Sequence, residues 1–546
     1  MLKGKIISSK IPFQGGIKMI KLGIEPFKVL VRTDAWHVAE KIGESYAYGS
    51  VKVSLKEGNG GVKVELDANE PVKGICVRYK GSFPENVKVL GDHWERAYAD
   101  MGFMTLREER MLPWYFLATD GKKTDGYGVK TAPNAFCYFH ASFDGIDLVM
   151  DTRNGNNGVN LKGRVLDVCT IVTREGKENE SAFEAGKAFC KQMCDNPRLP
   201  KNIVYGSNNW YYAYGNITDE SVMADAKFIA DLTAGLDNRP FMVIDDGWQI
   251  KHGNVGWGYN GGPWYAGNED FPDMKDLASR MADLNVIPGI WMRPLHYRGE
   301  EYDKIGNRLR DSDVLDPTLP AAKELIYKEV KGIRDFGFKL IKHDFSSVDI
   351  TGRWGMGMIK DGITGGEWGF SDDSRTTAEI VLDLYKLIRE AAGDAYIIGC
   401  NTFSHLSAGL FELQRTGDDT SGAEWSRTRR FGVNTVAFRG IQHNAFYAAD
   451  GDCIGMTGAI PWELNRQWLE LLAKSGTPLF VSPDPKKVTP EQYEDLRKAC
   501  EIASKPQPIG EPLDWLYNDC PAVWRFGDEI RTFNWQDENN VESDLR

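Results

Sequence analysis

Carboxylates follow three short apolar segments in the second half of this 546-residue chain. The segments are FMVIDDGWQ (241–249), KLIKHDFS (339–346) and LFELQRTGDDTSG (410–422), and each reads as a strand that ends in acid. Acids at the C-terminal ends of parallel strands lie at the rim of a barrel, where the active sites of that fold are found. Paired carboxylates at such a rim predict the cleavage of glycosidic bonds.

Asp344 is the predicted nucleophile. Cleavage with retention of configuration needs one carboxylate to attack the anomeric carbon and a second group to protonate the leaving oxygen. Lys342 lies two residues before Asp344, on the same face of the strand. There its charge would keep the carboxylate ionised. The alternative interpretation is an ion pair at the rim without a catalytic task.

Asp418 is the predicted general acid/base, with Asp419 as its rival. Consecutive side chains point in different directions, so only one of the two is expected to reach the scissile oxygen. Burial beside another carboxylate would raise the pKa of such a group, as proton donation requires. The segment GDDTSG (417–422) is equally compatible with a turn or a helix cap.

Further side chains near the strand ends are predicted to bind sugar. Asp245 and Asp246 can accept hydrogen bonds from neighbouring hydroxyl groups, although two acids in a tight turn at a strand end would look the same. Arg293 and Arg415 could neutralise the carboxylates, bind a hydroxyl group or form structural salt bridges. Aromatic rings stack on sugar rings but also fill cores, so only one or two of the tryptophans near the rim are expected to contact sugar. These tryptophans are Trp210, Trp248, Trp257, Trp264 and Trp291.

The pattern of apolar residues predicts three regions that position these side chains. Residues 1–195 alternate with period two and predict an antiparallel β-sandwich. A proline-containing segment then leads to residues 200–504, where apolar strands alternate with amphipathic helices, as in the (β/α)8 TIM barrel of the α/β class. Residues 505–546 return to a strand pattern and predict a small C-terminal β-sheet region. The eight predicted barrel strands begin near Ile203, Phe241, Ile287, Lys339, Tyr396, Leu410, Asn444 and Pro478.

Composition and motifs narrow the function classes. The net charge of −12 disfavours nucleic acid and other polyanions as partners, because their binding needs a basic surface. The sequence contains no HExxH, HxH or CxxC motif and no GxGxxG after a strand, so neither a metal nor another cofactor is expected. No apolar segment of signal-peptide or membrane-spanning type occurs, so the protein is expected to be cytoplasmic, away from membranes, with its nine cysteines reduced. The sequence is compatible with a homo-oligomer.

Several segments, in order along residues 203–535, resemble the clan D retaining α-glycosidases. The resemblance is greatest to glycoside hydrolase family 36, which contains α-galactosidases and raffinose synthases. The matching segments are VIDDGWQ (243–249), NEDFPDMKDLASRMADLNVIPGIWMRP (268–294), VLDPTLPAAKELIYKEV (314–330), KHD (342–344), TGDDTSG (416–422) and SGTPLFVSPDP (475–485). No single segment is specific, but their joint order at the spacing of barrel strands is.

The resemblance implies roles for individual residues. Asp344, in the K-x-D motif, would be the nucleophile, and Asp418, the first acid after Gly417, would be the acid/base. Asp245 and Asp246 would bind the O4 and O6 side of a galactose-like ring. The other residues that the resemblance places in the sugar pocket are Lys342, Arg415, Trp210, Cys400 and Asn401. The family also has a short connection between strands five and six, which fits the short gap between the strands predicted near 396 and 410.

The sequence departs from the family pattern at three places that are expected to lie in the sugar pocket. His343 stands where many α-galactosidases have Trp, Arg293 stands where they usually have Glu, and NTFSHLSAG (401–409) replaces a polyglycine run. All three changes are expected in the sugar pocket. The resemblance therefore extends to the fold, the mechanism and the α-linkage, and not to the identity of the sugar.

The leading hypothesis is a retaining, α-galactosidase-like hydrolase that acts on an oligosaccharide or another α-glycoside. The segments IDDGWQ (244–249) and FYAADGD (446–452) also resemble the raffinose synthases, which would transfer the sugar to a second sugar instead of water. An α-glycosidase for another sugar, such as an α-N-acetylgalactosaminide, is a further alternative. An inactive carbohydrate-binding protein on the same barrel is the remaining one.

Overall fold

The computed structural model describes residues 16–58, 60–98, 100–250, 252, 258–358 and 362–537. Trp257 and the outermost residues of the first and last predicted regions lie outside the described residues. The described strands form a fourteen-stranded antiparallel sheet, a nine-stranded parallel sheet and a three-stranded antiparallel sheet. This confirms the predicted combination of a β-sandwich, a barrel and a small C-terminal sheet.

Alternating apolar residues build the N-terminal sheet. In β4, Val51, Val53 and Leu55 are buried while Lys52 and Lys56 are exposed, as expected for a strand with one face against a core. The fourteen strands are β1 (Lys28–Arg32), β2 (Trp36–Ile42), β3 (Ser45–Tyr48), β4 (Val51–Gly58), β5 (Gly61–Asp67), β6 (Gly74–Lys80), β7 (Lys88–Gly91), β8 (Met104–Thr105), β9 (Leu112–Pro113), β10 (Tyr115–Thr119), β11 (Thr124–Val129), β12 (Phe136–Ser142), β13 (Gly145–Asp151) and β14 (Leu166–Arg174).

This sheet folds over on itself, so that its two halves face each other as a sandwich. Its strand order is β8-β7-β10-β11-β14-β5-β4-β3-β2-β1-β6-β13-β12-β9. The rings of Phe116 on β10 and Phe139 on β12 lie 5.5 Å apart, and the sulfur of Cys169 on β14 lies 3.5 Å from that of Met150 on β13. Because both strand pairs are distant in the sheet order, these contacts cross the core between the two halves.

The nine parallel strands occupy eight barrel positions because the seventh strand is broken. β21 pairs with β20, β22 pairs with β23, and only Gly451 and Asp452 separate β21 from β22 in the chain. All eight predicted strands are therefore present. They are β15 (Tyr205–Asn208), β16 (Phe241–Ile244), β17 (Ile287–Met292), β18 (Leu340–His343), β19 (Tyr396–Gly399), β20 (Leu413–Arg415), β21 (Ala448–Asp450) with β22 (Cys453–Met456), and β23 (Leu479–Pro483).

Amphipathic helices pack around the barrel, and side chains cap the first turns of several of them. The side chain of Asp273 caps α4, and Thr489 and Gln492 form a capping box at the start of α13. None of the helices in the described part of the chain is both long and apolar enough to cross a membrane. The α-helices are α1 (Ala182–Met193), α2 (Trp210–Ala213), α3 (Asp219–Leu232), α4 (Met274–Asp283), α5 (Glu300–Asp303), α6 (Pro320–Phe336), α7 (Ser346–Thr351), α8 (Thr377–Ala392), α9 (Ser404–Ser407), α10 (Trp425–Arg427), α11 (Asn434–Arg439), α12 (Trp462–Lys474) and α13 (Pro490–Ala503).

Two short features complete the barrel and the C-terminal region. The single-turn helix α9 joins strands five and six of the barrel, which explains how a gap too short for an ordinary crossover helix is bridged. The C-terminal sheet consists of β24 (Glu511–Pro512), β25 (Val523–Phe526) and β26 (Glu529–Thr532). A turn at residues 527–528 joins its last two strands.

Candidate active site

The acids predicted from the sequence lie at one end of the barrel. Asp245 follows β16, Asp344 follows β18, and Asp418 comes three residues after β20. These strands run parallel in one sheet, so their C-terminal ends share one rim. The backbone N–H of Asp344 still donates to the carbonyl of Met292 on β17 (2.9 Å), so the nucleophile candidate is held by the barrel itself.

Neutral N–H groups hold the carboxylate of Asp344. One oxygen accepts hydrogen bonds from the backbone N–H of Phe345 (2.8 Å) and from the backbone (3.1 Å) and side-chain (2.6 Å) N–H groups of Asn401. The other oxygen accepts from the indole N–H of Trp291 (3.0 Å). Phe345 has a φ of 64°, a left-handed conformation that is uncommon for a bulky residue and frequent at functional sites. The carboxylate is thus fixed in place immediately before a sharp turn of the chain.

Positive charge keeps Asp344 ionised. Burial alone would raise its pKa, but the charges of Arg96 and Lys342, together with the hydrogen bonds just described, hold the pKa below its usual value. The ammonium of Lys342 donates to Asp245 (2.7 Å), which also accepts a hydrogen bond from the side chain of Asn208 (2.6 Å). Lys342 therefore interacts both with Asp245 and with the nucleophile candidate.

His343 lies outside this pocket, which corrects the prediction that the Trp-to-His change falls among the sugar contacts. Side chains alternate along a strand, so His343 points away from the side that carries Lys342. Its ring packs 5.6 Å from the ring of Tyr385 and 5.4 Å from that of Phe411. Burial lowers the pKa of His343 to about 3, so the ring is neutral.

Arg96, a residue from outside the barrel, binds both acids of the acid/base candidate pair. It lies in a connecting loop (residues 92–98) that follows β7 of the N-terminal sheet. One of its terminal nitrogens is 2.8 Å from Asp418 and the other is 2.8 Å from Asp419. Arg427 contacts the second oxygen of Asp418 (2.9 Å). Both acids are therefore ion-paired, and Arg96 is common to the two.

A continuous chain of three hydrogen bonds and one ion pair connects the two predicted catalytic acids. Asn401, which donates to Asp344, accepts a hydrogen bond from the hydroxyl of Tyr98 (2.5 Å). Tyr98 in turn accepts from Nε of Arg96 (3.1 Å), and Arg96 contacts Asp418. Three intervening side chains thus link the end of strand four to the end of strand six.

Arg415 and Cys400 belong to the same cluster. The guanidinium of Arg415 is buried and lies 3.2 Å from Asp419 and 2.8 Å from Asp452. Arg415 and Arg96 both donate to the sulfur of Cys400, at 3.7 and 3.4 Å. Within the described part of the chain, no group of three or more His, Cys, Asp or Glu side chains is arranged to hold a metal ion.

The remaining predicted sugar-binding residues contact other partners. Asp246 accepts a hydrogen bond from the side chain of Gln249 (2.6 Å). Trp210 begins α2 directly after β15 and is partly buried. Arg293 pairs with Asp349 (3.0 Å), so its charge is compensated beside the pocket. Trp248 and Trp264 are buried against each other, so they act as core.

Solved structures with the same fold include α-galactosidases, although no family model matches the chain. The α-galactosidase TtGalA from Thermus thermophilus, in complex with p-nitrophenyl α-D-galactopyranoside, has a TM-score of 0.58 at 16% identity, covering 88% of this chain and 96% of the other. The GH36 α-galactosidase AgaA from Geobacillus stearothermophilus has a TM-score of 0.58 at 13% identity, covering 88% and 70%. A cycloalternan-degrading enzyme from Trueperella pyogenes has a TM-score of 0.53 at 11% identity, covering 94% and 88%. These matches confirm, at the level of the fold, the resemblance to clan D and family 36.

Sequence reasoning missed the residues that the N-terminal sheet contributes. Arg96 and Tyr98 lie in the segment HWERAYAD (93–100), which contains no recognisable motif. Asp452 was part of a segment noted for its resemblance to raffinose synthases, but not as a member of the site. An adjacent acid and base between two aromatic residues, as in WERAY (94–98), is the only local signal, and it is too common to identify a site.

Proposed function

We propose that this protein is a retaining α-glycoside hydrolase with α-galactosidase-like specificity. The observation that carries the proposal is the chain of three hydrogen bonds and one ion pair that joins Asp344 to Asp418 through Asn401, Tyr98 and Arg96. Retaining cleavage needs two carboxyl groups that act on one anomeric carbon, and both acids follow strands that end at the same rim of the barrel. The fold shared with α-galactosidases, one of them solved with an α-galactoside bound, supports an α-linked sugar as substrate.

The proposed reaction has two steps. In the first, a carboxylate oxygen of Asp344 attacks the anomeric carbon, the bond to the leaving oxygen breaks, and Asp418 gives its proton to that oxygen. The product of this step is a glycosyl ester on Asp344. In the second, Asp418 takes a proton from water, the water oxygen attacks the anomeric carbon, and the ester bond breaks. Two inversions at one carbon retain the configuration.

The low pKa of Asp419 favours Asp418 as the acid/base. Asp419 lies between Arg96 and Arg415. Burial alone would raise its pKa, but the charges of Arg96, Arg415 and Lys342 hold the pKa far below its usual value. A carboxyl group that stays ionised cannot donate the proton of the first step, so in this proposal Asp419 orients its partners instead.

Asp245 and Asp246 are the residues that would recognise the sugar. Lys342 and Asn208 fix the carboxylate of Asp245, and Gln249 fixes that of Asp246. A carboxylate has about four lone-pair directions, so each group can accept hydrogen bonds from sugar hydroxyls in addition to these. Lys342 would be shared between Asp245 and the sugar.

Turnover of 4-nitrophenyl α-galactoside by the wild type and by Asp344→Ala and Asp418→Ala variants tests the proposal. We expect Asp344→Ala to lose almost all activity, and Asp418→Ala to lose about 100- to 10,000-fold on substrates with poor leaving groups. Added azide should give β-galactosyl azide with Asp344→Ala and α-galactosyl azide with Asp418→Ala, because it replaces a different group in each. An Asp344→Ala enzyme with the wild-type rate would contradict the proposal. Sugar binding without turnover by the wild type would favour an inactive carbohydrate-binding protein.

Transfer of the sugar to a second sugar is the other candidate function. Gln249, the last residue of the segment that resembles the raffinose synthases, is buried and donates to Asp246, so it belongs to the proposed sugar site. Hydrolysis and transfer share the glycosyl ester and differ only in the acceptor. Product analysis with and without added galactinol or sucrose separates them, because transfer yields a longer oligosaccharide and hydrolysis yields free galactose.

A further inference from the structure

We propose that Arg96 is a positioning residue for the acid/base Asp418, so that the N-terminal sheet completes the active site of the barrel. The inference rests on the proposed function, because it assigns a role relative to the acid/base. Arg96 is 5% exposed and reaches the barrel rim from the connecting loop that follows β7 (Lys88–Gly91). Its role depends on how firmly this loop is held against both sides of the pocket.

On the acid/base side, the connecting loop pairs with the chain that carries Asp418. The backbone N–H of Ala97 donates to the carbonyl of Thr416 (2.9 Å), and the backbone N–H of Asp418 donates to the carbonyl of Ala97 (2.9 Å). These two bonds form a parallel bridge between Ala97 and Gly417. The segment before Asp418 therefore takes its position from the N-terminal sheet as well as from the barrel.

On the nucleophile side, the same loop holds the helix that follows Asp344. The buried carboxylate of Glu95 accepts hydrogen bonds from the hydroxyl of Ser347 on α7 and from the backbone N–H of Gly355 (2.8 Å). Tyr98 adds the bond to Asn401 described above. One loop thus spans the distance between the two catalytic acids.

A buried ion pair fixes the base of the loop. Asp92 lies 2.8 Å from Arg439, and both side chains are almost fully buried. Gln442 donates to the second oxygen of Asp92 (2.9 Å). Arg439 also donates to the carbonyls of Glu95 (2.7 Å) and Thr416 (3.0 Å), so it joins the loop to the acid/base segment.

Within this frame the guanidinium of Arg96 is bound through all three of its nitrogens. Its Nε donates to Tyr98, and its two terminal nitrogens contact Asp418, Asp419 and the sulfur of Cys400. A planar guanidinium held on both edges fixes the place of each carboxylate that it binds. The other partner of Asp418, Arg427, has a side chain that is 32% exposed, compared with 6% for Arg96. Arg96 is therefore the partner that determines where Asp418 lies.

The test is the dependence of kcat/KM on the leaving group, measured for the full chain and for Arg96→Met and Arg96→Lys variants. Methyl α-galactoside needs a proton on its leaving oxygen, whereas α-galactosyl fluoride has a good leaving group and needs far less acid assistance. We expect Arg96→Met to lose about 100-fold or more on the methyl galactoside and less than about tenfold on the fluoride, because a misplaced acid forfeits general acid catalysis. Arg96→Lys keeps the positive charge but not the planar arrangement of N–H groups. Its loss of kcat/KM on the methyl galactoside should therefore lie between those of the wild type and Arg96→Met.

A matched control comes from the same sheet. Arg153 is also buried, binds Asp151 through Nε (2.9 Å) and reaches a barrel carbonyl at Thr364, but it contacts neither catalytic acid. Any loss in Arg153→Met should be equal for the two substrates. Equal losses for Arg96→Met, or unchanged turnover of the methyl galactoside, would overturn the positioning role while leaving the proposed function intact. A wild type inactive on both substrates would contradict the proposed function, and this role with it.

Discussion

The two predicted catalytic acids are held in different ways. Asp344 is bound by neutral N–H groups of Trp291, Phe345 and Asn401, all of which belong to the barrel. Asp418 is bound by guanidinium groups, and the buried one, Arg96, comes from the N-terminal sheet. The groups that donate hydrogen bonds to the nucleophile candidate therefore all come from one region of the chain. The acid/base side exists only where two regions pack together.

Removal of the Asp92 carboxylate should loosen the connecting loop on the acid/base side and cause the largest loss of stability. Asp92→Ala leaves the buried Arg439 without its carboxylate, and we expect the free energy of unfolding to fall by about 3–5 kcal/mol. Denaturant-induced unfolding measures this loss. Asp92→Asn, which keeps the shape and one acceptor, should lose less. Unchanged stability of Asp92→Ala would show that the connecting loop is not anchored through this pair.

Removal of the Asn401 side chain should weaken the nucleophile side without touching the ion pairs of Asp418. Asn401→Leu takes one charge-assisted hydrogen bond from Asp344, and we expect kcat/KM to fall about 10- to 100-fold. The hydrogen bond from Asn401 helps to lower the pKa of Asp344, so its loss raises that pKa. The acid limb of the pH profile should then move to higher pH.

Trp291→Phe is the control for this prediction. It removes the indole hydrogen bond to the other oxygen of Asp344 and keeps a ring in the core, so kcat/KM should again fall and the pKa of Asp344 should again rise. An acid limb that moves to lower pH in either variant would contradict the account of Asp344.

Substitution of His343 is expected to have the smallest effect on activity. His343 adjoins Asp344 in the chain but packs outside the pocket, so His343→Phe should leave kcat/KM unchanged.

The native ring of His343 stays neutral down to a pKa of about 3, whereas an unfolded histidine binds a proton below about pH 6.5. Between these values the unfolded state holds the extra proton, so stability falls as the pH falls. His343→Phe should therefore reduce the loss of stability on acidification, as thermal unfolding across pH 3–7 would measure. A large loss of activity would place His343 in the site after all.

The positions of the strands could be predicted because each depends on nearby residues. Apolar runs ending in acid marked β16 and β18. The direction of His343 was predicted wrongly because the family comparison was applied residue by residue without the alternation of side chains along β18. The broken seventh strand was not predicted either, because the pairing of β21 and β22 with different neighbours is not a local property.

By itself, the sequence determined the three-sheet architecture and the strand ends at which the carboxylates lie. These follow from hydrophobic periodicity and from acids placed directly after strands, which are local patterns. Only the tertiary structure decided which charged groups face those carboxylates. Arg96 and Asp418 lie far apart in the chain and meet because the connecting loop pairs with the end of strand six. No pattern in either segment encodes the other, since an ion pair depends on distance in space and not on separation along the chain.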